Sequence, residues 1–564
     1  MKKSTTKYLT WSLLILGPAT ALFMTPQFSY DPINIPKFSV LVTIGFIVLF
    51  LLISESRTIL KNLPRFFIIA SLVFLAQMSL VLIFSGSPFS QQFYGVIGRH
   101  TGYLAYFSLV IISLGAAVVT NHQNSEKFVY GLIGSGFVTA CYSLIQTMGL
   151  DPVNWNNPYN SILGFLGNPN FASSFLAISA VATSALLIKS QFTWTGRGLS
   201  LIIITTNLFL IIRSQSRQGL LVFAAGFAIV LWLYLIQNRN KFSNFVLVSY
   251  SVLASTGIAI LILGSLKLGP LADLLYKLSV RQRGYYWHAA YEMIKKNPIF
   301  GVGLDGYGNW YFEERSANAA FTTPTVSSNA AHNVFLDLGA NGGIILMFVY
   351  ISMVIFTLYS ILSYLRRKKE FNWAFAALVG AWVGYIAQSI ISINQLGLAT
   401  YGWLLMGCIV GMEFKDRKKA DHPVDKIYSK KARNSRNVPK KKLSDSVSLL
   451  IILGLSTSSI FVYPLYAGDI NYRATAKAGV LEEHIKSATT FPIFSSRITE
   501  TANYLANNGR FEDAQKLVDK AITENPRDYN AWFLKFQLAK PGTPEEKKIE
   551  KTLSQLNPKV KISK

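Results

Sequence analysis

Cysteine is nearly absent from this sequence. Cys141 and Cys408 are the only two, and both fall inside long apolar runs. Two such residues cannot build a disulfide framework, and neither CxxC nor HExxH spacing occurs, so no protein-bound metal and no cofactor are expected. Charge is scarce too. Asp, Glu, Lys and Arg make up 15% of the chain, against about 25% in ordinary soluble domains. Acids are the scarcer sign, 28 against 54 basic residues, for a net charge of +26. No basic helix interleaved with aromatics accompanies that excess, so no nucleic-acid partner is expected. Strand alternation is missing as well. Runs such as LVTIGFIVLFLLIS are continuously apolar, which excludes a membrane barrel.

What the chain has instead is apolar runs of bilayer length, about 20 residues each. Spans are expected near 8–25, 38–54, 65–84, 103–120, 127–148, 170–188, 199–212, 219–236, 245–265, 332–360, 373–390, 397–412 and 447–466. The fold class is therefore all-α: a polytopic membrane protein of about 12–13 helices. The first span reads as a retained helix rather than a removed leader. Basic residues favour the cytoplasmic side of span ends. With the N-terminus inside, Arg57, Lys61, Arg65, Lys189, Arg197, Arg239, Lys241 and the RRKK run at 366–369 all fall inside. So does 414–446, with twelve Lys/Arg and four acids. One orientation thus accounts for every basic cluster, and for much of the +26 through contact with anionic membrane lipids.

The division that follows is a membrane core at 1–413, a basic cytoplasmic linker at 414–446, a last span at 447–466 and an extracytoplasmic helical tail at 467–564. The stretch NNGRFEDAQKLVDKAITENP spaces Gly509, Phe511, Ala514, Val518, Ala521 and Pro526 in the manner of a tetratricopeptide (TPR) repeat. Small Ala514 and Ala521 let paired helices approach closely, and Pro526 ends the second one. Such a tail either offers a concave face to a protein partner or simply caps the core.

Three groups of positive residues then fall on the side where basic residues are not expected. RSQSRQ at 213–218 carries Arg213 and Arg217. The large loop 266–331 is close to neutral overall yet carries Arg281 and Arg283, with His332 closing it at the mouth of the next span. Arg99 lies in YGVIGRHTGYL. A guanidinium fork matches phosphate oxygens and stays charged at any working pH. A histidine near its ordinary pKa of about 6.5 can accept a proton at neutral pH. That combination suits transfer of a group from a lipid diphosphate to a hydroxyl, with arginines stabilising the leaving phosphate and His332 taking the acceptor's proton. A transporter for lipid-linked glycans would instead distribute its charges at several membrane depths.

Four stretches together resemble the O-antigen ligase and polymerase superfamily, the Wzy-C-type membrane glycosyltransferases. They are GFLGNPNFASSFLA at 164–177, SQSRQGLLVF at 214–223, RGYYWHAAYEMIKKNPIFGVGLDGYGNW at 283–310 and AHNVFLDLGANGGIILM at 331–347. The resemblance implies metal-independent, inverting transfer of a glycan from an undecaprenyl-pyrophosphate carrier, at the outer face of the bacterial cytoplasmic membrane. The acceptor would be a glycan, a lipid or a protein hydroxyl. The resemblance points to Arg217, Arg283 and His332 as the functional positions; Arg99, on the same side by topology, and the extra neighbours Arg213 and Arg281, which depart from the family pattern, are expected as further substrate contacts. Gln218 intervenes where the family usually continues its Ser-Arg directly with Gly. Asn168 or Asn170 reads as a helix cap or a sugar contact. The glycines at 301, 303, 306 and 308 read as turn formers or as room for a glycan.

Overall fold

A computed structural model describes residues 3–56, 61–155, 160, 162–189, 191–238, 241–270, 272–368, 370–421 and 445–561. Most of the expected cytoplasmic linker (422–444) lies outside the described residues, as do Arg57, Arg239 and Lys369. All regular structure among the described residues is helical. The expected spans appear in order as α1 (Lys3–Leu22), α2 (Asn34–Ile53), α3 (Arg65–Phe84), α4 (Tyr103–Val119), α5 (His122–Thr147), α6 (Pro169–Leu187), α7 (Trp194–Arg213), α8 (Arg217–Gln237) and α9 (Lys241–Ser265). After the loop helix α10 (Leu278–Lys296) come α11 (Val334–Arg367), α12 (Trp373–Ile391), α13 (Leu396–Asp421) and α14 (Asp445–Ala478). Among the described residues, 11 of these helices are long and apolar enough to cross a membrane, and α4 is a shorter apolar one. The chain is a multi-pass membrane protein.

The bundle is graded from inside to outside. The apolar window of α13 is buried along its whole length, whereas no residue in that of α9 is buried. Gly407 and Gly411 bring α13 against the α4 backbone, where a Cβ would overlap the carbonyls of Ser113 and Ala117. Lys37 is wholly buried, yet its Nζ donates to the Ala21 and Phe23 carbonyls, both at 3.0 Å. The amine there satisfies carbonyls left open at the end of α1.

Several features of the helices differ from expectation. The span expected at 332–360 starts at Val334, so His332 sits outside it. It also breaks at Gly343 (φ 82°), where a side chain would overlap the Ile299 carbonyl. Loop 298–307 packs into that break, with Ile344 N donating to Pro298 O and Val302 N to Ala340 O, each at 2.8 Å. The last span does not stop near 466 but continues to Ala478.

The tail adds α15 (Leu481–Ala488), α16 (Ser495–Asn507), α17 (Phe511–Glu524), α18 (Tyr529–Leu538) and α19 (Pro544–Leu556). Ala514 and Ala521 are fully buried between α16 and α17, as small residues at a close helix crossing should be. The tail is docked on the core. Asp469 forms a buried pair with Arg497 and accepts from Tyr30 N at 2.7 Å. Arg527 lies over the Trp310 ring at 3.4 Å and pairs with Glu313.

Candidate functional site

At one end of the bundle the connections 31–34, 98–99, 166–171 and 392–395 meet the loop 283–332 around a cavity of about 340 Å³. The opposite end is the basic one, where Arg367 pairs with Glu413 and Lys189 with Glu126.

His332 reaches the cavity through its backbone geometry. Asn333 caps α11, its Oδ1 accepting from Phe335 N at 3.0 Å and Leu336 N at 3.1 Å. The residue before the cap must turn the chain, and His332 does so with φ 52°. That left-handed conformation is uncommon outside glycine and tolerated by histidine. Ala331 N donates to Asp337 at 2.9 Å, so both neighbours of His332 are held. The imidazole stacks on Tyr286 at a centroid distance of 5.0 Å. Among the described residues, no protein hydrogen bond reaches its ring nitrogens. Burial, then the positive charges of Arg283 and Arg99, push its pKa down to about 4. The ring is neutral at physiological pH and free to accept a proton.

Arg283 stands three residues before Tyr286 on α10, hence on the same helix face. Its Nε donates to Ile391 O at 2.6 Å and its Nη1 to Ser279 O at 3.1 Å. Carbonyls hold the side chain in place without neutralising it, and no carboxylate pairs with it among the described residues. Burial lowers its pKa, with Tyr286 opposing.

Arg99 lines the same cavity in a different state. Its Nη2 lies 3.0 Å from Asp337 and 3.5 Å from Asp305, and its Nη1 donates to Asn329 O at 2.5 Å. All three charged groups are buried. The two carboxylates outweigh burial and keep the Arg99 pKa above the ordinary arginine value. Its two terminal nitrogens are taken, so it acts as a strut between loops.

The other arginines lie elsewhere. Arg217 starts α8 as an exposed residue outside the cavity lining. Its neighbours are tied to the cavity wall: Ser216 Oγ donates to Asn170 Oδ1 at 2.8 Å, and Gln218 Nε2 to Ser174 Oγ at 2.9 Å. Arg213 and Arg281 are exposed and line no part of the cavity. Asn168 caps α6, accepting from Asn170 N at 2.9 Å, and still borders the cavity. Gly301 (φ 61°) packs where a Cβ would overlap the Ala340 carbonyl, which settles its role as a close-packing turn.

Sequence reasoning missed Asp305 and Asp337 as partners of Arg99, and the polar run Ser392, Asn394 and Gln395. The run left a signal: three polar side chains in a four-residue connection between apolar helices. Asn394 donates to Tyr106 at 3.0 Å, and Gln395 caps α13 through Gly397 N at 2.8 Å. The cavity thus offers one unopposed guanidinium, one neutral imidazole and a rim of amides. The first suits a phosphate, the second a proton, the third a hydroxyl-rich group.

Residues 199–351 match the family model described as O-Antigen ligase. The match runs from α7 into α11, so it contains Arg213, Arg217, Arg281, Arg283 and His332 but not Arg99. The chain is also similar to an uncharacterized protein of Haemophilus influenzae, 23% identical over 261 residues, which are 44% of this chain and 62% of that relative. This part of the core is therefore similar to O-antigen ligases, which supports glycosyl transfer in general.

Proposed function

We propose that the protein transfers a glycan from an undecaprenyl-pyrophosphate carrier to an acceptor hydroxyl, at the outer face of the cytoplasmic membrane. The observation that carries this reading is the meeting of Arg283 and His332, 49 positions apart (332 − 283), at one cavity. Every connection around that cavity is one that the basic clusters assign to the extracytoplasmic side.

In the proposed step the acceptor oxygen attacks the anomeric carbon and its proton passes to the neutral His332. The bond from that carbon to the carrier phosphate breaks, and its electron pair leaves with the diphosphate. Arg283 faces the charge that develops there as a donor already fixed in place by carbonyls. A single displacement inverts the anomeric centre. The same chemistry serves a polymerase, a lipid ligase or a protein O-oligosaccharyltransferase, which differ only in acceptor. The TPR-like tail is read as the part that meets the acceptor or an assembly partner.

Purified full-length protein, given a lipid-diphosphate glycan donor, should release the carrier diphosphate in step with glycosylated product. His332→Ala should lower that rate by about 10²- to 10⁴-fold, the usual worth of a positioned base. No transfer by the unaltered purified protein, together with carrier movement across vesicles that His332→Ala abolishes, would identify a transporter instead.

A further inference from the structure

A second cavity, of about 310 Å³, lies between the core loops and the tail. Asn329 borders both cavities. The segment 96–99 forms the partition, with Val96 and Ile97 facing the second cavity and Gly98 and Arg99 the first. From the geometry we infer that this second cavity is the acceptor subsite, and that it binds the saccharide part of the acceptor. The inference rests on the transferase reading given above.

Three observations support it. A relay of amides crosses from tail to core along the cavity wall: Asn525 Nδ2 donates to Asn309 Oδ1 at 3.2 Å, Asn309 Nδ2 to Gln91 Oε1 at 3.1 Å, and Gln91 Nε2 to Asp305 O at 2.8 Å. Gln91 and Asn309 each spend part of their amide capacity on these neighbours and keep the rest for a ligand, while Asn525 is further held by Ser495 and Arg527 N. Aromatic faces lie beside the amides, Phe312 and Tyr529 being 4.8 Å apart between centroids. Rows of amides and hydroxyls beside apolar ring faces match the alternating hydroxyl edges and C–H faces of sugars.

The charges select against the donor's diphosphate. Asp305 is matched by Arg99, and Arg527 by Glu313. That leaves Glu524 and Asp528 as the remaining charged lining groups, both acidic, which repel phosphate. The site is also built rather than incidental. Beyond the Arg527 contacts, Lys559 Nζ donates to Glu313 O at 2.7 Å and Arg315 Nη2 to Asn557 Oδ1 at 3.1 Å, so the tail is fixed to the core loops.

The test uses the full chain in nanodiscs, with lipid-diphosphate glycan extracted from the native host as donor. The acceptor is the host's envelope fraction, offered untreated, periodate-oxidised or protease-digested. Ser496 and Asn530 are exposed residues on the cavity lip. Ser496→Trp should fill that lip without touching the core, and Asn530→Trp does so from the neighbouring helix. Periodate should abolish transfer and protease should leave it intact. Each variant should raise the KM for acceptor about tenfold or more, a loss of ~1.4 kcal/mol, with the KM for donor unchanged. An unmoved acceptor KM in both variants, a raised donor KM, or loss of transfer on protease treatment alone would overturn the inference while leaving the transferase intact. Absence of transfer by the unaltered protein would overturn both.

Discussion

Two walls of one cavity present an arginine each, and they hold it in opposite ways. The wall from 96–101 buries Arg99 against Asp305 and Asp337, carboxylates drawn from positions 206 and 238 residues away (305 − 99 and 337 − 99). The wall from α10 holds Arg283 by two backbone carbonyls alone. A buried cation with two anions has its charge spent on the fold. A partly buried cation held by neutral oxygens keeps its charge for whatever enters. Residue type and loop position would rank the two alike; only their partners separate structure from chemistry.

That contrast breaks most visibly at Arg99. Arg99→Met strands two buried carboxylates, and breaking such a cluster costs about 3–5 kcal/mol. We expect a collapse in yield or a large fall in Tm in detergent. A stable Arg99→Met protein with selectively lost donor binding would reverse the two assignments. Arg283→Gln should do the opposite: an unchanged Tm, and a kcat lower by about 10²- to 10³-fold, as when one preorganised charge donor is removed. Smaller still is the effect expected at Arg217. Its side chain is exposed, and exposed charges act weakly through water. Arg217→Ala should lower kcat/KM for donor by about tenfold or less. A loss as large as at Arg283 would mean that this loop swings onto the bound donor, a rearrangement within the range seen on binding.

Much of this arrangement was legible beforehand, because helix length and cap chemistry are local. The spans could be placed from apolar runs, the helix cap to Asn168 or Asn170 beside Pro169, and Arg283 and His332, expected together with Arg217, to one side of the membrane from motif order on a single topology. The rest depends on contacts that no local pattern encodes. Asp305 sits in a glycine-rich turn and Asp337 reads as an ordinary first-turn acid, so nothing adjacent marks either as the partner of Arg99. Arg217 was grouped with Arg283 because both end spans on one side, but the α8 start turns its side chain outward while Ser216 and Gln218 turn inward. Arg527 could not be matched to Trp310 without the docked tail, and the second cavity exists only because of that docking.

The finest test of the comparison is the pH profile. His332 acts as a base only when unprotonated, so transfer falls as pH drops through its pKa. In the free protein that pKa is pushed down to about 4, first by burial, then by Arg283 and Arg99. The acid limb of kcat/KM should therefore lie well below the ordinary imidazole range, with activity level from there up to neutral pH. A bound diphosphate brings negative charge beside the ring and favours the imidazolium, so the limb of kcat should lie higher than that of kcat/KM. Arg283→Gln removes one of the two cations, which should move the limb of kcat/KM toward the unperturbed value of about 6.5 even though the absolute rate is much reduced. Arg217→Ala, outside the cavity, should leave the limb in place. If the limb stayed fixed in Arg283→Gln, the titrating base would lie outside the field of Arg283, and the shared cavity would lose its chemical meaning.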